Sequence, residues 1–222
     1  MSPYYDRDGI TIYHARCEDV LPSIDPDDVG LLLTDPPYGI DLDTDYTKKH
    51  GRRGGTFVSI ASDDEPFDPG PLLAYGRCVL WGANNYASRL PDAPAWIVWD
   101  KVCLNLPTSY RSAEAELAWT NVTRRMQVFH HQWMGAARDT ERGRTLHPTQ
   151  KPVALMRWII DRWTEPGDLV LDPYMGSGPI ARACADLGRR YFGVELVEEY
   201  CAVAVKRLSQ QTLDLTGGAD AA

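Results

Sequence analysis

Asp168-Leu169-Val170-Leu171-Asp172-Pro173-Tyr174-Met175-Gly176-Ser177-Gly178 is the stretch whose reading decides the fold. Asp168 to Asp172 reads as a short apolar strand and Gly178 to Leu187 as a helix, so a turn of small residues joins strand to helix. In an open α/β sheet this is the place that receives a nucleotide-like ligand, because small residues let the backbone approach it. The next strand, Arg190 to Glu195, ends on an acidic side chain roughly 20 residues further on, where a carboxylate can accept both hydrogen bonds from a ribose diol. A dinucleotide would suit turn plus acid equally well, but the third glycine of such sites is missing, since Pro179 follows Gly178.

The same alternation extends outward in both directions. Pro152 to Trp163 carries Val153, Met156, Ile159, Ile160 and Trp163 at helical spacing, with Pro152 suited to the first turn and Pro166-Gly167 marking the stop. Val197 to about Gln211 predicts a closing helix, and residues 212–222 a disordered tail. Upstream, Ile10 to Tyr13 and Val29 to Thr34 read as strands, the second nearly all apolar, as befits a strand covered on both faces. Leu72 to Tyr75 and Asn84 to Leu90 read as helical, Arg77 to Trp81 and Ala95 to Trp99 as strands. Ala115 to Thr120 and Arg125 to His130 are close enough to pair antiparallel, which would give a mostly parallel sheet a hairpin edge. The expected fold is α/β, a Rossmann-like doubly wound sheet in one domain over residues 1–211. Ile40 to about Pro71 has little periodicity and is expected to be a mobile functional loop.

Bulk properties narrow the classes. With 222 residues and 44% apolar content the chain can bury one substantial core. Its apolar runs, such as Leu31 to Leu33 and Trp96 to Trp99, are too short to span a bilayer, and no secretory signal opens the chain, so a soluble protein is expected. The cysteines Cys17, Cys78, Cys103, Cys184 and Cys201 are odd in number and lack zinc-type spacing; no metal is expected, and they read as buried thiols in a reducing cytoplasm. Arg outnumbers Lys, in keeping with a GC-rich bacterial or phage genome.

A net charge of -8 argues against binding nucleic acid by bulk electrostatics. Two stretches depart from that background. One is Lys48-Lys49-His50-Gly51-Arg52-Arg53; the other runs from Arg111 to Lys151, where Arg111, Arg124, Arg125, Arg138, Arg142, Arg144 and Lys151 outnumber Glu114, Glu116, Asp139 and Glu141. Either could be a solvated loop or a nucleic-acid contact.

Asp35-Pro36-Pro37-Tyr38 follows the strand ending at Thr34, so the same sheet edge would present it beside the glycine turn. Two prolines lock φ and hold the carbonyls in fixed directions. An exocyclic amine on a heteroaromatic ring is a poor nucleophile, because its lone pair is delocalised into the ring. Hydrogen bonds from its N–H groups to the Asp35 carboxylate and the Pro36 carbonyl would favour the pyramidal, nucleophilic nitrogen. Tyr38 offers a flat face for a base removed from its stack. The bland alternative is a tight turn with a capping Asp.

Taken together, Thr34-Asp35-Pro36-Pro37-Tyr38-Gly39, His147-Pro148-Thr149-Gln150-Lys151-Pro152 and Asp172 to Gly178 resemble the S-adenosylmethionine-dependent amino-methyltransferases of DNA. The tetrapeptide precedes the cofactor turn, as in the permuted β class of adenine-N6 and cytosine-N4 enzymes, and the similarity spans roughly Thr11 to Leu208. The resemblance implies catalytic roles for Asp35, Pro36, Pro37 and Tyr38. It implies cofactor contacts from Asp172, Pro173, Tyr174, Gly176, Ser177, Gly178 and Glu195, and from Thr149 and Lys151 at the methionine carboxylate. His147 and Gln150 would be structural. The family usually has Phe where Tyr174 stands, and Gly-Asp before the position of Cys17, where Arg16 stands here; the Cys17 backbone would still reach the adenine, while Glu18 and Asp19 suit a helix cap.

The leading function is methyl transfer to N6 of adenine in duplex DNA by direct displacement after base flipping. Cytosine N4 is the runner-up, since cytosine-N4 enzymes of the family more often carry Ser at the position of Asp35. A catalytically silent DNA-binding relative is the third reading. Methylation at the cytosine ring carbon would need a nucleophilic Cys, usually preceded by Pro, and there is no Pro-Cys pair. Residues Val102 to Leu146 are the candidate target-recognition segment, with Asp41 to Asp64 as a second DNA contact. The resemblance leaves open whether the chain pairs as a homodimer and whether it has a restriction partner.

Overall fold

The computed structural model describes residues 1–45, 63–102, 113–134, 137–141, 147 and 149–209. The basic run Lys48 to Arg53, much of the candidate recognition segment and the tail 212–222 lie outside the described residues. In chain order the elements are β1 (Tyr5–Arg7), β2 (Ile10–His14), α1 (Cys17–Val20), β3 (Leu31–Thr34), β4 (Cys78–Trp81), β5 (Ala95–Asp100), β6 (Ala115–Thr120), β7 (Gln127–His130), β8 (Trp133–Met134), β9 (Ala137–Arg138), α2 (Val153–Trp163), β10 (Leu169–Asp172), α3 (Pro179–Leu187), β11 (Arg190–Glu195) and α4 (Glu198–Ser209).

Among the described residues a nine-stranded sheet runs β1-β2-β11-β10-β3-β4-β6-β5-β7, with β8 and β9 forming a separate ribbon. Strands β2, β11, β10, β3 and β4 are mutually parallel, so their C-terminal ends share one edge. Alternation divides the core between the two faces. On β3, Leu31 and Leu33 pack with Leu155, Met156, Ile159 and Ile160 of α2 and Ile180 of α3, while Leu32 faces Phe67, Leu72 and Tyr86 on the other side. All three leucines are fully buried, each contributing about 1.5–3 kcal/mol. No helix of the described residues is long and apolar enough to cross a membrane.

The α/β, mostly parallel architecture agrees with the sequence reading, and two local readings are corrected. The antiparallel pair is β5 with β6, not β6 with β7: β6 lies between β4 and β5, antiparallel to both, and β7 joins β5 in parallel at the sheet edge. Strands β6 and β7 do run in opposite directions, but β5, with Ile97 and Trp99 buried, takes the inner place, and β7, with Val128 exposed, the edge. Residues 84–90 form no α-helix but two 3-10 turns, Ala83–Asn85 and Ala87–Arg89. Tyr86, at φ -130° and ψ 24°, breaks the helical path and is pulled inward, where its hydroxyl donates to the Trp81 carbonyl at 2.6 Å.

Candidate active site

Every parallel strand delivers a site segment just past its C-terminal end: Cys17 after β2, Asp35 after β3, Gly82 after β4, Pro173 and Tyr174 after β10, and Glu195 at the end of β11. Because β6 runs the other way, its start brings Glu116, paired across from Trp99 of β5, to the same edge. A single cavity of about 920 Å³ spans this edge from Cys17 to Glu116. Of the predicted site residues it is lined by Cys17, Asp35, Pro36, Pro37, Tyr38, Thr149, Pro173, Tyr174, Gly176 and Glu195.

Within the tetrapeptide, the Tyr38 hydroxyl donates to Asp35 Oδ1 at 2.5 Å. The turn is held from below by buried Asp63, whose Oδ1 accepts from the backbone N–H of Tyr38 at 2.8 Å and of Gly39 at 2.9 Å, and whose Oδ2 accepts from Leu42 at 2.8 Å. Nothing in the sequence marks Asp63 for this role; its three backbone bonds reveal it.

Lys151 does not line this cavity. Its ammonium is buried behind the tetrapeptide, 2.5 Å from Asp35 Oδ2, 3.0 Å from the Tyr38 oxygen and 3.1 Å from Glu116 Oε2. An ammonium has three N–H donors, and three acceptors occupy them. The expectation that Lys151 meets the cofactor's carboxylate therefore has no free donor behind it, and the structure gives Lys151 to Asp35 instead. Burial pushes the Asp35 carboxyl up, with Lys151 pulling the other way. Burial would lower the Lys151 ammonium, but Asp35 and Glu116 hold it well above the ordinary lysine range. Glu116 would likewise be raised by burial, yet Lys151 and Lys101 hold it down at about 2.

At the glycine turn, Gly176 at φ +54° points its N–H to Glu195 Oε2 at 2.8 Å, and Val197 donates to Oε1 at 2.8 Å. The carboxylate keeps acceptor capacity beyond these two bonds, and Glu195 lines the cavity. Thr149 is set by His147, whose Nδ1 accepts from the Thr149 backbone at 3.3 Å; the His147 ring rests edge-on against Tyr200 at 4.4 Å. Burial, with the Lys151 charge adding to it, lowers His147 to about 4, so the imidazole is neutral at physiological pH.

Asp172, Ser177 and Gly178 stand behind the lining. Asp172 is fully buried and ties three strands together, accepting from Thr34 of β3 at 2.7 Å and from the Tyr191 hydroxyl of β11 at 2.9 Å. Ser177 is buried, with Arg207 of α4 donating to it at 3.4 Å, and Gly178 at φ +73° caps α3 against Ala204. At Arg16 the side chain lies beside Glu18 at 3.5 Å and makes no cap bond to α1, while Glu18 lines the cavity.

Known proteins resemble this chain in sequence and in fold. Residues 94–206, half of the chain, match the family model of the N6/N4 DNA methylases. The chain belongs to that family. The Type II methyltransferase M2.LlaDCHI of Lactococcus lactis subsp. cremoris is 24% identical over an alignment of 255 residues that covers 94% of this chain and 92% of that protein. Among solved structures, the M1.HpyAVI-SAM complex is 25% identical with a TM-score of 0.56, covering 90% of this chain and 100% of that one. The cytosine-N4-specific PvuII DNA methyltransferase shares the fold at 14% identity, with a TM-score of 0.64 over 95% of this chain and 90% of that one. The family resemblance seen in the motifs and the mixed α/β sheet are thereby both borne out for this N6/N4 DNA methylase.

Proposed function

We propose that this DNA methyltransferase transfers a methyl group from S-adenosylmethionine to the N6 amine of adenine in duplex DNA, with the target base flipped into the cavity beside Tyr38. The observation that carries the reading is the shared cavity: the Asp35–Tyr38 turn and the Gly176–Glu195 turn open into one space of about 920 Å³. That is within the roughly 300–1,000 Å³ typical of small-molecule sites. The residues present fit the cofactor. Glu195 retains acceptor capacity for a ribose diol, the positive φ of Gly176 keeps the turn open to close approach, and Tyr174 and Cys17 supply apolar lining. M1.HpyAVI, a structural relative, is an S-adenosylmethionine complex.

When bound, the cofactor supplies an electrophilic methyl group on sulfonium sulfur. The chain's part is to make a poor nucleophile good and to take away a proton. Asp35 and the Pro36 carbonyl accept hydrogen bonds from the amine, which draws the nitrogen out of conjugation. Once methylated, the nitrogen would have an excess proton to shed, and the Asp35 carboxylate is the base placed to take it. Tyr38 presents a ring face to the base. The acid at position 35 favours adenine over cytosine. Residues 102–146 and 41–64 are proposed to contact the DNA, on the strength of their basic residues.

Incubation with labelled S-adenosylmethionine and oligonucleotides, followed by nucleoside analysis, tests the target: label on N6-methyladenine is expected, and label on cytosine alone would overturn the choice of base. Asp35→Ala should abolish transfer and spare cofactor binding.

A further inference from the structure

Glu116 has no part in the roles above, yet its surroundings are those of a working residue. Its carboxylate stands between two ammonium groups, Lys101 at 2.7 Å from Oε1 and Lys151 at 3.1 Å from Oε2. Lys101 reaches it from just beyond β5, and Lys151 from the segment before α2. With Asp35 at the far side of Lys151, four charges of alternating sign follow one another: Lys101, Glu116, Lys151, Asp35. The side chains of the two lysines are only 12% and 4% exposed, so water does little to screen the row. Glu116 also lines the same cavity as Asp35 and Tyr38.

We propose that Glu116 is a positioning residue for methyl transfer, which grips Lys151 so that the ammonium stays against Asp35 without being neutralised by Asp35 alone. This rests on the reading of Asp35 as the acceptor for the substrate amine. A carboxylate that is the only counter-charge to a buried ammonium is committed to it, which makes it a weak acceptor for an amine and a weak base for the proton that the methylated nitrogen sheds. Sharing the ammonium with Glu116 leaves Asp35 basic enough for both tasks while Lys151 still fixes its orientation. A pair serving stability alone would need neither the cavity nor the acceptor carboxylate.

Several other groups face Asp35. Tyr38 comes from its own turn, Tyr86 from the segment after β4, and Asp172 from the end of β10, while His147 stands near Lys151. Both phenols are raised by burial and stay neutral, and His147 is neutral as well. Asp172 titrates in wild type and variant alike, so a difference between the two profiles isolates Glu116.

Glu116→Gln keeps the shape and removes the charge. Single-turnover transfer should be measured against pH, with S-adenosylmethionine affinity followed by calorimetry. Transfer is expected to slow about tenfold near neutral pH, a fraction of what loss of a general base costs. The acid limb should move to lower pH, because the negative charge that raised Asp35 is gone, and the cofactor Kd should stay within about twofold, as befits a change outside the cofactor's contacts. Glu116→Asp, which retains the charge, should recover part of the rate. A pH profile superimposable on wild type, or a rate loss matched by equal losses of cofactor affinity and thermal stability, would overturn the proposal while Asp35→Ala remained inactive. Full activity of Asp35→Ala would overturn this inference and the assignment of Asp35 together.

Discussion

The Tyr38 ring lies in the space that a Cβ on Gly82 would occupy. Gly82 follows β4 at φ +67°, and the absence of a side chain there lets the ring settle over the backbone with its hydroxyl on Asp35. Gly82→Ala must therefore push the ring aside and force a side chain into left-handed backbone. Gly188 offers the control, because it has the same φ of +67° and a Cβ there would meet nothing within 4 Å. Gly188→Ala should cost the backbone strain alone, about 1–2 kcal/mol, and keep transfer. Gly82→Ala should cost at least as much in urea denaturation and lower kcat more than about tenfold, since a misplaced catalytic group costs one to two orders of magnitude. Equal kcat for the two variants would remove the Tyr38 ring from the mechanism.

Glu195 serves the turn and the ligand at once. Its two oxygens each accept one backbone N–H, from Gly176 and Val197, while the carboxylate lines the cavity. In Glu195→Gln only one oxygen remains, so one of those N–H groups faces an NH₂ and the turn loosens. Hydrogen bonds to a charged acceptor are worth about 1.5–3 kcal/mol, so the Kd for S-adenosylmethionine should rise roughly tenfold to a hundredfold. Calorimetry measures it directly, and DNA binding without cofactor should be unaffected. A wild-type Kd would place the cofactor's ribose elsewhere.

What is legible in the sequence depends on whether the cue is local. Asp35 to Tyr38 and Glu195 each sit at the end of an apolar run, and such a run marks both the strand and the edge that it reaches. Glu116 carries a weaker cue, a lone acid near the start of an apolar strand, whose meaning depends on β6 running antiparallel between β4 and β5. Lys151 is legible as part of its motif but its partner is not, because Asp35 lies 116 residues away and no spacing marks the pair. Asp172 reads as a ligand contact from its place beside the glycine turn. Its side chain turns inward because hydroxyls on both neighbouring strands await it, and those hydroxyls belong to Thr34 and Tyr191, far off in sequence.

That inward position makes Asp172 a source of pH-dependent stability. Burial raises its carboxyl from the ordinary 3.8 to about 7, although the hydroxyls of Thr34 and Tyr191 pull it down. In the unfolded chain the group ionises near 3.8, while in the folded protein it holds its proton up to about 7. Between those values the folded state binds more protons, so rising pH favours unfolding. The stabilisation is fully present below 3.8 and is lost as the pH climbs through about 7, at up to about 1.4 kcal/mol per pH unit. Asp172→Asn cannot ionise, and its amide can still bond both hydroxyls. Urea denaturation of the two proteins from pH 5 to pH 8 should show the wild type losing stability relative to the variant as pH rises. Parallel curves would mean that Asp172 is already ionised across that range and that the two hydroxyls outweigh the cost of burying its charge.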